Sequence, residues 1–207
     1  MPLPYLEDFL LSIKTNNYSQ ETLYNYERDL DVFAYFLKHD VNESFADISK
    51  RTIELYKAYL SSRDRKTAKQ APSAVQLSAS SINRTLSSLR SYLKYLVNID
   101  YKVPVAPESI RLVKTPKKHP RVAELDALIQ LIESPTTLEK NKNISLRNRA
   151  LFETLFSTGM RISELVSLQR DQIDPSGRIF IRGKGKKERF VYLTDRAKSH
   201  IDSYLLT

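Results

Sequence analysis

Arg161 and Glu164 stand three residues apart, and the basic run Gly183-Lys184-Gly185-Lys186-Lys187-Glu188-Arg189 follows them. These are residue types that bind a phosphate: a guanidinium whose planar fork reaches two oxygens at once, and ammonium groups that act as compact point charges. Gly159 closes an apolar run and can take the left-handed conformation of a helix C-terminus, so Met160 and Arg161 are expected where a new helix begins. Glu164 then shares a face with Arg161, while Ile162, Leu165 and Val166 have the spacing of residues facing a core. An Arg–Glu pair at this spacing is commonly a surface ion pair contributing about 0.2–0.5 kcal/mol. An arginine at a helix start also adds charge to an already positive dipole end, a conflict that a bound anion would relieve. On these residues alone both readings stand.

The second segment invites the same ligand. Arg178-Ile179-Phe180-Ile181-Arg182 and Glu188-Arg189-Phe190-Val191-Tyr192-Leu193 alternate as strands do, which predicts a β-hairpin around a Gly-Lys-Gly-Lys-Lys turn. Between residues 178 and 189 six basic side chains face one acid. Gly183 and Gly185 flank Lys184, so the backbone can approach a partner closely and the ammonium can project from the turn. An ordinary solvated hairpin tip is the competing account.

Thr158-Gly159-Met160-Arg161-Ile162-Ser163-Glu164-Leu165, followed by Gly183-Lys184-Gly185-Lys186-Lys187-Glu188-Arg189, resembles the first half of the catalytic domain of the tyrosine recombinases (phage integrase family), most of all the Xer type. The resemblance implies that Arg161 is the first catalytic arginine, Glu164 the carboxylate that supports it, and Lys184 the catalytic lysine that protonates the 5′-oxygen leaving group. Transfer of a DNA phosphoryl group builds charge on the non-bridging oxygens, which preorganised Arg and Lys donors stabilise. The family's site continues with a His-x-x-Arg box, a further His or Trp and a tyrosine nucleophile. None of these occurs here: His200 is followed by Ile-Asp-Ser, and Tyr204 reads as part of a helix over about 194–206. The pattern therefore stops partway through a catalytic domain. The expectation is a chain that binds DNA without cleaving it, with site-specific recombination through a 3′-phosphotyrosyl intermediate belonging to the intact protein.

At 207 residues with 41% hydrophobic content, the chain can bury real cores. It has no apolar run of membrane-spanning length, and its start carries acids rather than a basic leader, so a cytoplasmic location is expected. Zero cysteines and three scattered histidines leave no metal-ligand spacing. Neither metal nor cofactor is expected, since a phosphotyrosyl intermediate conserves the bond energy. The net charge of +9 is uneven: residues 1–104 hold 14 Lys and Arg against 12 Asp and Glu, and residues 105–207 hold 19 against 12. Such an excess favours a polyanionic partner bound in a salt-dependent way.

These groups need a scaffold, and the fold expected is mainly α with a small β-hairpin. Residues 1–104 contain no glycine and no sustained strand alternation, so they read as an all-α module. Its helices are predicted over Pro4–Lys14, from Ser19 to about Lys38, after the cap Ser49, and from Ser80 or Ser81 through Ile82–Val97. Asn83, Arg84, Ser87, Arg90, Ser91 and Lys94 form a polar face on the last of these. That face suits major-groove and phosphate contacts or, alternatively, plain solvent. By the resemblance, this is the four-helix core-binding (SAM-like) domain that lies on DNA opposite the catalytic domain. Arg63 to Ser73 reads as a basic loop.

Residues 105–120 form the expected linker, in a stretch between Tyr101 and Arg121 where Pro104, Pro107, Pro116 and Pro120 fall among Arg111, Lys114, Lys117, Lys118 and Arg121. Proline stiffens such a path, and its cations suit a phosphate backbone. Residues 121–207 form the partial α+β catalytic domain. It begins with helices over Val122–Ile132, ending near Ser134-Pro135, and from the cap Ser145 to about Ser157; Arg147 and Arg149 are read as exposed. The DNA-contacting set is thus Asn83, Arg84, Ser87, Arg90, Lys94, Lys117, Lys118, Lys186 and Lys187. Double-stranded DNA and, from the resemblance, further protomers in a tetramer are the expected partners, with no membrane and no small-molecule substrate. A naturally short DNA-binding regulator and a helical adaptor with incidental basicity are the alternatives.

Overall fold

Apolar side chains at helical spacing organise the first half of the chain into four α-helices in a computed structural model, which describes residues 3–62, 76–116, 122–183 and 187–207. The described chain divides into two compact units, Met1–Lys118 and His119–Thr207. The first holds α1 (Leu6–Thr15), α2 (Gln20–Phe36), α3 (Lys50–Ser61) and α4 (Ala79–Asn98). Ser19 and Ser49 cap α2 and α3 by accepting the N–H groups of Thr22 and Thr52 at 3.2 and 3.3 Å. A π-turn, Leu37–Val41, prolongs α2 until Asn42 turns left-handed at φ 52°. The α4 cap is Ser78, not Ser80 or Ser81: its hydroxyl accepts the Ser81 N–H at 3.2 Å, so the helix starts two or three residues earlier. Leu30, Phe33 and Phe36 of α2 meet Leu86, Leu89, Leu93 and Leu96 of α4, all at most 2% exposed, and Ile53, Tyr56 and Leu60 of α3 close the core.

The stretch read as linker packs onto this unit over its first part. Val105 and Ile110 are buried in the same core, with Val103 and Val113 partly buried against it. Such an extended segment lacks its own ladder, so its backbone groups need outside partners. Asn83 and Arg90 of α4 supply them.

The second unit holds α5 (Leu125–Leu138), α6 (Lys142–Thr158), α7 (Ile162–Val166), β1 (Arg178–Arg182), β2 (Glu188–Tyr192) and α8 (Asp195–Leu205). α5 runs through Pro135 instead of stopping before it. The Leu131 carbonyl that proline leaves without a backbone donor accepts the Ser134 hydroxyl at 2.8 Å, which preserves the helix. The α6 cap is Asn141, whose side chain accepts from Asn143 and Ile144; Ser145, expected in that role, donates to the Pro135 carbonyl at 2.8 Å. β1 and β2 pair antiparallel with Phe180 opposite Phe190. Ile179, Ile181 and Val191 point inward to Met160, Leu165, Leu193 and Ala197, while Phe180, Phe190 and Tyr192 point out.

Two further expectations fail in this unit. Ile162 and Val166 are 63% and 78% exposed, because they sit at opposite ends of a five-residue helix from which Leu165 alone reaches the core. Arg149 is buried rather than exposed. It donates to Glu153 at 2.8 Å, and Arg196 of α8 donates to Glu153 at 2.6 Å and to Glu133 of α5 at 3.1 Å, so a charged cluster ties α5, α6 and α8 together. No described helix is long and apolar enough to cross a membrane.

Candidate functional site

Gly159, at φ 60°, ends α6 in the left-handed conformation, and buried Met160 anchors the turn that follows. Arg161 is then the N-cap of α7, extended at φ −73° and ψ 151°. Glu164 reaches back from the first turn: its carboxylate accepts the Arg161 backbone N–H at 2.8 Å and the Arg161 Nη1 at 3.1 Å. Across from α7, Arg189 of β2 donates Nη1 and Nη2 to the two oxygens of the same carboxylate at 3.1 and 2.8 Å. Hydrogen bonds from Arg189, then from the Arg161 backbone, hold Glu164 down at a pKa of about 2.

Gly183 lies directly on this cluster. A Cβ there would stand 3.0 Å from Glu164 Oε1, 3.1 Å from Arg189 Nη1 and 3.4 Å from Arg161 Nη1, so any larger residue would push these side-chain ends aside by a few tenths of an ångström. Its N–H donates to the Lys187 carbonyl at 2.7 Å across the hairpin. Gly159, Arg161, Gly183, Lys187, Glu188 and Arg189 line a cleft.

Two guanidinium groups share one carboxylate, which leaves one positive charge over. The Arg161 side chain is 61% exposed, whereas that of Glu164 is 8% exposed. The arrangement offers a preoriented guanidinium to an anion such as a phosphate diester. The dipole of α7 contributes little, because the helix is only five residues long. The carboxylate and the hairpin set the arginine instead.

Lys187 is exposed at the cleft. Lys184 and Lys186, like Lys117, Lys118 and the loop read over 63–73, lie outside the described residues. The polar face of α4 divides. Asn83 and Arg90 are engaged with Val113 and Ile110. Arg84 donates to the buried carboxylate of Asp29 at 2.5 Å while its side chain stays 42% exposed. Ser87 and Lys94 are exposed, and Lys94 borders a groove with Ser91 and Asn98. His200 and Tyr204 lie on α8 as expected. Sequence reasoning missed Arg189, although a signal was present: it shares strand parity with Val191, the inward face, where a cation needs a carboxylate.

Residues 6–98 match the phage integrase N-terminal SAM-like domain, and residues 121–206 match the phage integrase family. The chain belongs to the tyrosine recombinases of the phage integrase family. Among these tyrosine recombinases it is 32% identical over 206 residues to XerC of Halalkalibacterium halodurans and 34% identical over 204 residues to XerC of Pelobacter propionicus. The alignments cover 97% and 95% of this chain but 62% and 61% of those proteins. It is also 30% identical to XerD of Oceanobacillus iheyensis, across 97% of the chain and 62% of that protein. The recombinase fold recurs in XerH bound to its palindromic difH substrate, with a TM-score of 0.68 at 21% identity, covering 93% of this chain and 55% of that one. A λ integrase tetramer bound to a Holliday junction matches at a TM-score of 0.68 and 16% identity, covering 96% and 55%.

Proposed function

We propose that this recombinase chain binds duplex DNA, with Arg161 receiving the phosphate at which strands are exchanged and Lys184, by the family resemblance, serving as the acid for the 5′-oxygen. The single observation that carries the reading is the exposed Arg161 guanidinium, fixed by Glu164 beside the glycine that precedes Lys184 in sequence. Arg84, Ser87 and Lys94 of α4, together with Lys117, Lys118, Lys186 and Lys187, supply further phosphate and base contacts. The protein to which this sequence belongs performs site-specific recombination through a 3′-phosphotyrosyl intermediate, in the cytoplasm and as a tetramer on paired sites. These 207 residues contain no His-x-x-Arg box. They therefore bind the site without cutting it.

Two measurements on this chain test the reading. Affinity for duplex DNA, followed by fluorescence anisotropy, should fall linearly in log–log form with salt, by roughly 0.9 per phosphate neutralised. Negligible, salt-insensitive binding would refute it. Incubation with a nicked suicide duplex should give no covalent adduct, and an adduct stable to denaturant would overturn the claim that the chain does not cleave.

A further inference from the structure

We infer that Arg189 is a positioning residue of this site: acting through Glu164, it fixes the Arg161 guanidinium and leaves the charge of Arg161 available to a phosphate. The inference rests on Arg161 being the phosphate-binding group.

The division of hydrogen bonds on Glu164 supports it. Both carboxylate oxygens are used twice: Oε1 accepts from Arg161 Nη1 and Arg189 Nη1, and Oε2 from the Arg161 backbone N–H and Arg189 Nη2. The fork-on-fork pair thus belongs to Arg189, and Arg161 gives the carboxylate a single side-chain nitrogen. The Nε and Nη2 of Arg161 make no hydrogen bond among the described residues, which leaves those donors for an incoming anion. Exposure agrees, since the Arg189 side chain is 37% exposed against 61% for Arg161.

Charge makes the same assignment. A carboxylate paired with Arg161 alone would cancel that arginine and leave no net charge to attract a phosphate. With Arg189 on the same carboxylate, the triad carries one net positive charge. Arg189 is also the link between two chain segments, because it stands on β2 opposite Ile181 while Glu164 stands on α7. The pair therefore holds β2 against the turn that bears Arg161. Lysine could keep the charge but not the two parallel N–H bonds.

A double-mutant cycle on the full chain tests this, with duplex DNA affinity at fixed low salt as the readout for Arg161→Ala, Arg189→Gln and their combination. Arg161→Ala and Arg189→Gln should each weaken binding about tenfold, the equivalent of one charge-assisted contact, and the double variant should be no weaker than Arg161→Ala. Arg189→Lys should lose nearly as much as Arg189→Gln, with thermal unfolding by circular dichroism confirming that it folds. Additive losses, or full affinity in Arg189→Lys, would show Arg189 acting as an independent charge and overturn the inference. An Arg161→Ala variant that binds like the parent chain would instead overturn the phosphate reading of Arg161, and this inference with it. The Arg161 Nε–Hε resonance, followed by NMR during titration with inorganic phosphate, should move in the parent chain and stay still in Arg189→Gln. Equal movement in both would likewise overturn the positioning role.

Discussion

Asn83 holds Val113 by both of its backbone groups: its amide nitrogen donates to the Val113 carbonyl at 2.9 Å, and its amide oxygen accepts the Val113 N–H at 2.8 Å. An asparagine used this way completes the packing of residues 105–113 on α4 and is not free to read a base edge. Asn83→Ala should therefore destabilise the first unit by about 1–3 kcal/mol in urea unfolding, the cost of leaving partly buried backbone groups unpaired. Lys94→Ala makes the contrast. It should change stability by less than about 0.5 kcal/mol and lower the salt slope of DNA binding by about 1. A stability loss confined to Lys94→Ala would reverse the division of α4 into a packing side and a DNA side.

The second contrast concerns α7, whose apolar residues have core spacing but unequal burial. Leu165 is 6% exposed, so Leu165→Ala should cost about 2–5 kcal/mol through lost burial and the cavity left behind. Ile162→Ala and Val166→Ala, at 63% and 78% exposed positions, should each stay within about 0.5 kcal/mol. Three equal losses in denaturant unfolding would mean that α7 packs on all three side chains.

Gly159 and Gly183 should respond to alanine for different reasons. Gly159 has φ 60° and open space where a Cβ would stand, with nothing within 4 Å, so Gly159→Ala carries only the left-handed backbone penalty of about 1–2 kcal/mol. Gly183 has no such strain, but its added Cβ would press on a carboxylate held by four hydrogen bonds. Gly183→Ala should weaken DNA binding several-fold with little change in unfolding midpoint, because it displaces the Arg161–Glu164–Arg189 group rather than the core. Unchanged DNA affinity in Gly183→Ala would separate this group from binding.

Local signals made much of this molecule legible. Ser19, Ser49 and Gly159 announce their helix ends because capping depends on a residue and its near neighbours. The β1–β2 pairing follows from strict alternation about a glycine-containing turn. Long-range choices were not legible. Ser78, Ser80 and Ser81 are equivalent caps in composition, and the one whose hydroxyl meets an N–H three residues on is decided by where α4 packs. Pro135 looks like a helix end until Ser134 is seen to take over the orphaned carbonyl. Arg149 reads as exposed because its place on α6 says nothing of α8, which brings Arg196 onto the same Glu153 carboxylate from the far end of the chain. In the site, Arg161 and Glu164 were visible as neighbours, but the Arg189 bond crosses from hairpin to helix.

That charged cluster sets a pH dependence with a definite sign. His200 Nε2 stands 3.9 Å from Glu153 Oε1, and the groups facing it are Arg149, Arg196, Glu153 and Glu133. Burial, and then the Arg149 charge, push its pKa below the ordinary 6.5, with Glu153 pulling the other way. The unfolded chain then takes up the His200 proton before the folded one does as pH falls. The stability this group contributes is accordingly complete above about pH 6.5 and is lost on acidification below it. Glu164, held at about 2, has the same sign in a lower window: its contribution is present above about pH 4.5 and disappears toward pH 2. Urea midpoints at pH 7.5 and 5.5 separate the two, since Glu164 stays ionised at both. The parent chain should be less stable at pH 5.5, and His200→Gln should narrow that difference while Glu164→Gln leaves it in place. A parent chain more stable at pH 5.5 would mean that Glu153 outweighs burial and Arg149, placing His200 above its ordinary pKa.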